Sequence, residues 1–522
     1  LLIVVAVVVV FGRAGRFGFV MFDDEDHLVT NPYLHPFTWN SVAAFWAKPY
    51  LSLYIPATYT AWGVLSLVAA RPGPDGRAVL DPATFHLANV ALHATNAVLA
   101  WLILRQVIRR DGPAAVGALA FALHPLQAEP VAWASGFKDT FSGVWALLAI
   151  LLFLRAHRRG TWSAYGLATL IYAIALCAKP AAVVVPPMAA AVAWAAGARP
   201  TRRAVFTLGA WVALGLACAW VTHRQQGDAT IVAWNPPAVR PLVAADAVAF
   251  YLGRLLWPAD LALDYGRTPR WVWQHVGTAL VGVAVAGVFL IGLVWVARRR
   301  GDRHVVPAAL AVFVCGIGPV LGMVPFIYQY YSTVSDRYLY LPMLGAGLLA
   351  AWAADRAGRP GRPFVIVVLA TWAALAFAQV GVWRDTVTLF QHNAAINPDS
   401  GISWAMLGSS AERAGDLAAA ERYHERSVTC DPDEPKYEAA VARVLARMPG
   451  RAAEARHHYA LSLADAARRV LKQDPDAPLA HRGLAQAYQM LGRPGDAAVE
   501  FARAAQLKAA GHRDPSMPVA HW

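Results

Sequence analysis

Cysteine is scarce in this chain, with four in 522 residues. Cys177, Cys218 and Cys315 fall inside apolar stretches, Cys430 lies far away in a polar tail, and no Cys-x-x-Cys spacing occurs. That excludes a disulfide framework and a zinc site as organising features. Charge is scarce too. Asp, Glu, Lys and Arg make up 15% of the residues, against about 25% in soluble proteins. With 57% hydrophobic residues and a mean hydropathy of +0.40, the composition is that of an integral membrane protein with a more polar part attached. Acids are the scarcer sign, the net charge is +13, and lysine is rare, so the positive charge is nearly all arginine. A basic balance can serve nucleic acid. Here the arginines gather in short loops between apolar runs, which is the positive-inside pattern, and no nucleic-acid partner is expected. An initiator methionine is missing and the chain opens within an apolar run, so the first span is expected to be incomplete. No small-residue cleavage site follows that run, which argues against a signal peptide.

A helix needs about 20 mainly apolar residues to cross a bilayer. That rule predicts eleven spans, near 1–18, 84–106, 113–133, 137–155, 162–178, 181–197, 204–222, 274–297, 304–326, 337–355 and 363–381. Arg105/Arg109/Arg110, Arg155/Arg158/Arg159, Arg199/Arg202/Arg203, Arg298/Arg299/Arg300/Arg303 and Arg356/Arg359/Arg362 then fall on every second turn and define a cytoplasmic side. The opposite side receives the Asp23–Asp26 loop, the Pro125–Lys138 turn, Lys179, the 223–270 stretch, the 327–336 loop and the C-terminal tail. Two stretches are too short to cross. Residues 40–70 read as two helices lying in the outer interface, anchored by Trp39, Phe45, Trp46, Tyr50, Tyr54, Tyr59 and Trp62, and 241–257 reads the same way.

The non-cytoplasmic side collects the unusual residues. Asp23-Asp24-Glu25-Asp26 places four carboxylates in a row at the mouth of a span, where acids gain nothing from hydrocarbon and mark a functional site. His86, Asn89, His93 and Asn96 share a helix face at spacings of three and four. His124-Pro125, Glu129, Lys138-Asp139, Lys179-Pro180 and Asp336-Arg337-Tyr338-Leu339-Tyr340 sit at span ends. Together they predict one cavity holding both acids and bases, in which Lys138, Lys179 and Arg337 suit a lipid phosphate.

After Trp383-Arg384-Asp385 the composition turns polar, which divides the chain into residues 1–382 and 383–522. Asn397-Pro398 and Asp431-Pro432 stand 34 residues apart, a tetratricopeptide period. Trp404, Leu407, Gly408, Ala411 and Ala420 sit at consensus offsets between them, and Leu484, Tyr488, Ala497, Phe501 and Ala504 repeat the pattern. The stretch between is too long and matches poorly. About three repeats are expected after a leading helix near 384–396, and such arrays offer a concave surface to extended peptides. The fold class is therefore all-α: a polytopic helical bundle followed by a short α-solenoid.

These motifs, in this order, resemble one family. Phe22-Asp23-Asp24 with Asn31-Pro32 comes first, then His86-Leu87-x-Asn89-x-x-x-His93. Ala122-Leu123-His124-Pro125-Leu126-Gln127-Ala128-Glu129-Pro130-Val131-Ala132-Trp133 follows with Lys138-Asp139. Ala178-Lys179-Pro180 and Asp336-Arg337-Tyr338-Leu339-Tyr340-Leu341-Pro342 complete the membrane set. The chain resembles the bacterial relatives of the transmembrane O-mannosyltransferases with tetratricopeptide repeats, which are polytopic glycosyltransferases of the GT-C superfamily. Ile55 departs from the basic residue or histidine that the family often has before the proline of the second in-plane helix.

The resemblance implies a polyprenyl-phosphate sugar as donor, mannose or a similar hexose, and a catalytic acid in the first outer loop. A hydroxyl acceptor on a protein needs a carboxylate to take its proton. Asp23 is assigned that role, and Asp24 shares it or orients the acceptor. Lys138, Lys179 and Arg337 hold the donor phosphate as charge develops on it. His93, His124, Glu129, Asp139 and Tyr338 are expected to contact the sugar or donor. Asp23 and Asp24 offer hard oxygens to a divalent metal, but with three cations at hand no metal is expected. The lipid bilayer and a protein or peptide acceptor held by the repeats are the remaining partners. A bacterial inner membrane is expected, with active site and repeats in the periplasm. A lipid-linked sugar flippase would place its acids and bases mid-span, in inverted repeats that are not seen here. A mere scaffold for the repeats would need neither eleven spans nor a polar face.

Overall fold

A computed structural model describes residues 1–73, 78–226 and 234–512. Among these the protein is all-α except for one short antiparallel hairpin, Ala70–Pro72 against Ala78–Leu80. The chain forms two compact units, Leu1–Leu389 and Phe390–Trp522, dividing within the Thr386–Ile396 helix.

Among the described residues five helices are long and apolar enough to cross a membrane: Pro82–Ile108, Ala134–Arg159, Arg202–Arg224, Val276–Arg299 and Arg362–Arg384. The protein is accordingly an integral membrane protein. Most of the apolar window of the first two is buried in the bundle, whereas only 6% of the Val276–Arg299 window is. A helix so apolar and so bare suits hydrocarbon as its solvent. Asp111–Leu123, Trp162–Ala178, Pro180–Ala195 and Val305–Val320 are apolar but shorter. Each of the eleven apolar stretches contains a helix, but six of these helices fall short of the length a simple crossing needs.

Proline accounts for much of that shortening. It lacks an N–H and pushes the residue before it out of the helical region. His124 is extended before Pro125 (φ −66°, ψ 135°), so the helix ends at Leu123 instead of running on to residue 133. Lys179 is extended before Pro180 (φ −156°, ψ 126°). Pro319 lies in the 3-10 turn after Ile317, and Pro342 separates the Asp336–Leu339 turn from the Met343–Ala357 helix. The breaks leave short turns that carry the polar residues.

The 40–70 stretch forms two helices as expected. Trp39–Ala47 opens on a Thr38/Ser41 capping box, and Pro56–Ala69 starts with proline in its first turn. The role of their aromatics needs correction. Trp39 and Trp46 are exposed, as interface anchors would be, but Phe45, Tyr59 and Trp62 are buried with Phe85 and Phe137. Phe45 and Tyr59 stack with centroids 4.8 Å apart. These two helices cover the acidic loop and need a core of their own, which burial of such rings supplies at roughly 2–3 kcal/mol each. The 241–257 stretch is also helical, over Arg240–Leu256.

In the second unit consecutive helices pack in pairs: Gly401–Arg413 with Leu417–Cys430, Pro435–Leu445 with Ala452–Leu471, and Pro478–Met490 with Pro494–Ala509. Small residues sit at the crossings. A Cβ on Gly408 would lie 2.6 Å from the His424 ring, and Ala420 is fully buried. The overlong middle stretch is explained by its second helix, 20 residues against 14 in the pair before. Phe501, expected to fill a packing position, is 37% exposed.

Candidate active site

The acidic loop is anchored from three directions. His86 Nε2 donates to the Gly18 carbonyl at 3.2 Å, Gly18 N–H to Arg384 O at 3.2 Å, and Met21 N–H to Thr386 Oγ1 at 2.8 Å. Asp24 faces inward and is fully buried. Its Oδ2 accepts the Val20 N–H at 2.9 Å and its Oδ1 the Ser135 N–H at 2.8 Å. Burial pushes its carboxyl up to about 6, against the lowering effect of Ser135 and Val20. Both oxygens accept backbone N–H groups, so Asp24 ties the loop to the 134–136 turn. That turn sits close to the preceding segment because residue 136 is glycine. A Cβ there would lie 2.3 Å from the Pro130 carbonyl oxygen.

Asp23 faces the other way. Its side chain keeps 30% of its exposure, and its Oδ2 accepts a hydrogen bond from Lys138 Nζ at 2.6 Å. Burial raises the carboxyl, but Lys138, His27 and Arg337 outweigh it and hold Asp23 at about 2. His27 is buried, stacked on Trp62 and paired through Nδ1 with the Tyr59 hydroxyl at 3.0 Å. Burial pulls it down to about 4, so it is neutral at pH 7.

Lys138 begins a chain of ion pairs. Asp139 pairs with Lys179, which the Pro180 break turns toward it. Glu129, on the Ala128–Ala132 turn, takes Arg337 Nη1 at 2.5 Å and the Arg337 N–H at 3.0 Å, and Ser335 Oγ donates to it at 3.1 Å. The Arg337 guanidinium lies over the Tyr328, Tyr338 and Trp133 rings at 4.3, 5.1 and 5.7 Å, and Lys138 lies over Trp133 at 5.1 Å. Trp133 is thus a common floor beneath two cations. Beside them opens a cavity of about 110 Å³. Its lining includes Asp139, Lys179, Arg337 and Tyr338 together with the apolar Val184, Pro319, Val320, Leu341 and Pro342.

The structure therefore brings together Asp23, Glu129, Lys138, Asp139, Lys179, Arg337 and Tyr338. It does not bring His93 or His124 to the cavity wall. His93 Nδ1 accepts from the Tyr340 hydroxyl at 2.9 Å and its Nε2 donates to Ala122 O at 3.0 Å. His124 Nε2 donates to Leu255 O at 3.1 Å and its Nδ1 accepts the Leu126 N–H at 3.3 Å. Both rings are fully buried with both nitrogens engaged. The polar face of the Pro82–Ile108 helix has the same scaffold role throughout: Asn89 Nδ2 donates to Trp133 O at 2.6 Å and Asn96 Nδ2 to Thr140 O at 2.7 Å. Glu129 uses its oxygens on Arg337 and Ser335, and so fixes the guanidinium in place.

No family model matches the chain. Three curated proteins align with it. Protein O-mannosyl-transferase Tmtc1 of Drosophila melanogaster is 28% identical over 250 residues, 42% of this chain and 28% of that protein. Protein O-mannosyl-transferase TMTC1 of Mus musculus is 34% identical over 157 residues, 29% of this chain and 16% of that protein. Protein O-mannosyl-transferase TMTC3 of Mus musculus is 24% identical over 499 residues, 85% of this chain and 52% of that protein. The chain's relatives are protein O-mannosyl-transferases. The chain spans about half the length of the longest-matching one and less of the others.

Beside these O-mannosyl-transferase relatives, the site holds residues that sequence reasoning did not single out for it. Ser335 braces Glu129, Tyr328 stacks on Arg337, and Ser142 lines the cavity. Trp133 stood inside a quoted motif, so its position was visible though its role was not. Tyr328 and Ser142 carried no signal, since one is a loop tyrosine and the other a small residue in an apolar helix.

Proposed function

We propose that the protein is a membrane glycosyltransferase. It moves a hexose, mannose or similar, from a polyprenyl phosphate to a hydroxyl of a protein acceptor, in a single inverting displacement on the non-cytoplasmic side. The observation that supports this most is the pairing of Asp23 with Lys138, whose neighbour Asp139 lines the cavity. The cavity wall itself combines two further cations, Lys179 and Arg337, with apolar side chains, and that combination matches a phosphate carrying a hydrocarbon chain. The named activity of the relatives supports the same reaction class.

In this reading Asp23, ionised at neutral pH, takes the acceptor proton as the hydroxyl attacks the sugar carbon. Lys138, Lys179 and Arg337 stabilise the charge that grows on the departing phosphate. Asp139 and Tyr338 flank the sugar, and Trp133 sets the height of the two cations above it. The periplasm of a bacterial inner membrane is the proposed setting, and the C-terminal helix pairs, read as tetratricopeptide repeats, are proposed to hold the acceptor.

The test is release of radiolabelled hexose from polyprenyl phosphate by purified protein in detergent, wild type against Asp23→Asn. Release by wild type alone is expected. Absence of release from folded wild type with every hexose donor and peptide acceptor overturns the proposal.

A further inference from the structure

The three cations of the site are not equivalent. Lys179 and Arg337 are paired with carboxylates whose side chains retain only 7% and 2% exposure. Moving either cation away would strand a buried negative charge, the costly case for an ion pair. Lys138 differs. Its partner Asp23 is 30% exposed, so water can solvate the carboxylate once the lysine leaves. In the same position Lys138 Nζ also lies 5.1 Å from the Trp133 ring, a face it shares with Arg337, so the aromatic ring stays beside it when the carboxylate lets go.

We propose that Lys138 is an exchangeable cation: the donor phosphate takes it from Asp23, so that donor binding uncovers the base, and the donor binds before the acceptor. This rests on the glycosyltransferase reading for its consequence and on the ion-pair geometry for its mechanism. Each of the three cations is paired with one carboxylate, Asp23, Asp139 or Glu129. The site therefore has no spare positive charge with which to hold an anion until one pair opens, and the Asp23 pair opens at least cost.

The groups that face Asp23 agree with this. Lys138 and Arg337 are the cations near it, His27 is the nearest ring on its own segment, Asp24 adds a like charge, and Tyr59 lies on the covering helix. Once Lys138 moves, Asp23 keeps its charge but loses its main counter-ion, and its affinity for a proton rises. The hydroxyl oxygen then bonds the sugar carbon while that carbon's bond to the phosphate oxygen breaks. The bonding pair leaves with the phosphate, and the hydroxyl proton passes to Asp23. When polyprenyl phosphate departs, Lys138 returns to Asp23 and drives the proton off to water, which resets the site.

A binding cycle tests the exchange without requiring turnover. Polyprenyl phosphate without sugar is titrated into the full chain and into Asp23→Asn, Lys138→Met and the double variant. Lys138→Met is expected to weaken binding roughly 10- to 100-fold, the range for a hydrogen bond to a charged group. Asp23→Asn is expected to tighten binding roughly 10-fold, because the competing carboxylate is gone, and to do so only while Lys138 is present. Equal tightening in the Lys138→Met background would show simple charge repulsion and overturn the exchange, as would no binding to the wild type. Circular dichroism of each variant identifies any that fail to fold, and Lys138→Gln then replaces Lys138→Met. The expected cycle together with no sugar transfer in the earlier assay would uphold the exchange and overturn the glycosyltransferase reading alone.

Discussion

Asp24 accepts the Ser135 amide at 2.8 Å while its neighbour Asp23 accepts Lys138 at 2.6 Å. Adjacent acids thus point in opposite directions, one to backbone amides inside the fold and one to the Lys138 ammonium. The Asp24 bonds are charge-assisted and buried, each contributing about 1.5–3 kcal/mol. Asp24→Ala is expected to lower the unfolding temperature and reduce activity together, with activity falling in proportion to the folded fraction. A variant that unfolds like wild type but is inactive would return Asp24 to the chemistry.

Asp23→Asn has the opposite signature. The side chain is partly exposed and asparagine keeps an oxygen for Lys138, so unfolding should change far less than the rate. Removing a general base typically costs 10²–10⁴-fold in rate. Transfer rate and thermal unfolding measured on the same preparation check this, and a stability loss matching the rate loss would contradict it.

Two shifted groups in the acidic loop act in opposite directions on stability between pH 4 and 6.5. Asp24 is raised to about 6 in the fold, above the ordinary carboxylate value of about 4. The fold therefore favours its protonated form, and the stability it contributes is complete below pH 4 and lost as pH rises through 6. His27 is lowered to about 4. Its contribution is present above about 6.5, its ordinary value, and lost as pH falls through 4. The difference between wild type and Asp24→Asn cancels the His27 contribution. Because asparagine mimics the protonated acid, wild type is expected to lose unfolding temperature relative to Asp24→Asn as pH rises from about 4 through 6, and the difference then levels off. A constant difference would mean that the Asp24 carboxyl titrates normally.

How much of this was legible in the sequence depended on the range of the interaction. Charge distribution along the chain placed Asp23, Glu129, Lys138, Lys179 and Arg337 on one side, and the fold does gather them. Their pairing was not legible, because partners such as Glu129 and Arg337 lie far apart in sequence. The inward turn of Asp24 was hidden for the same reason, since the donor is a backbone amide at Ser135. His93 and His124 misled because a histidine in a membrane helix reads as a site, while the carbonyls they serve, Ala122 and Leu255, are exposed only by proline breaks and helix ends. Span lengths failed where hydropathy runs through a proline, as across Pro125, since composition averages over the residue that stops the helix. The aromatics of the 40–70 stretch show a related limit: Trp39 and Tyr59 look alike in sequence, yet one is exposed and the other covers His27.

Glu129 and Arg337 supply the last test, because their pair is almost completely buried at 2% and 8% side-chain exposure. Removing one partner of such a pair costs about 3–5 kcal/mol, since the other charge is left without water or counter-ion, while replacing both with apolar groups of similar volume is often neutral. Glu129→Leu alone should therefore destabilise the protein strongly, as should Arg337→Met alone. The double variant Glu129→Leu/Arg337→Met should recover much of the unfolding temperature. It should not recover donor use, because Arg337 also lines the cavity, and its removal is expected to weaken donor binding roughly 10- to 100-fold. Stability rescued without donor affinity would separate the structural role of Glu129 from the binding role of Arg337. Donor affinity rescued along with stability would mean that Arg337 serves the fold only, and would leave Lys138 and Lys179 as the cations that meet the phosphate.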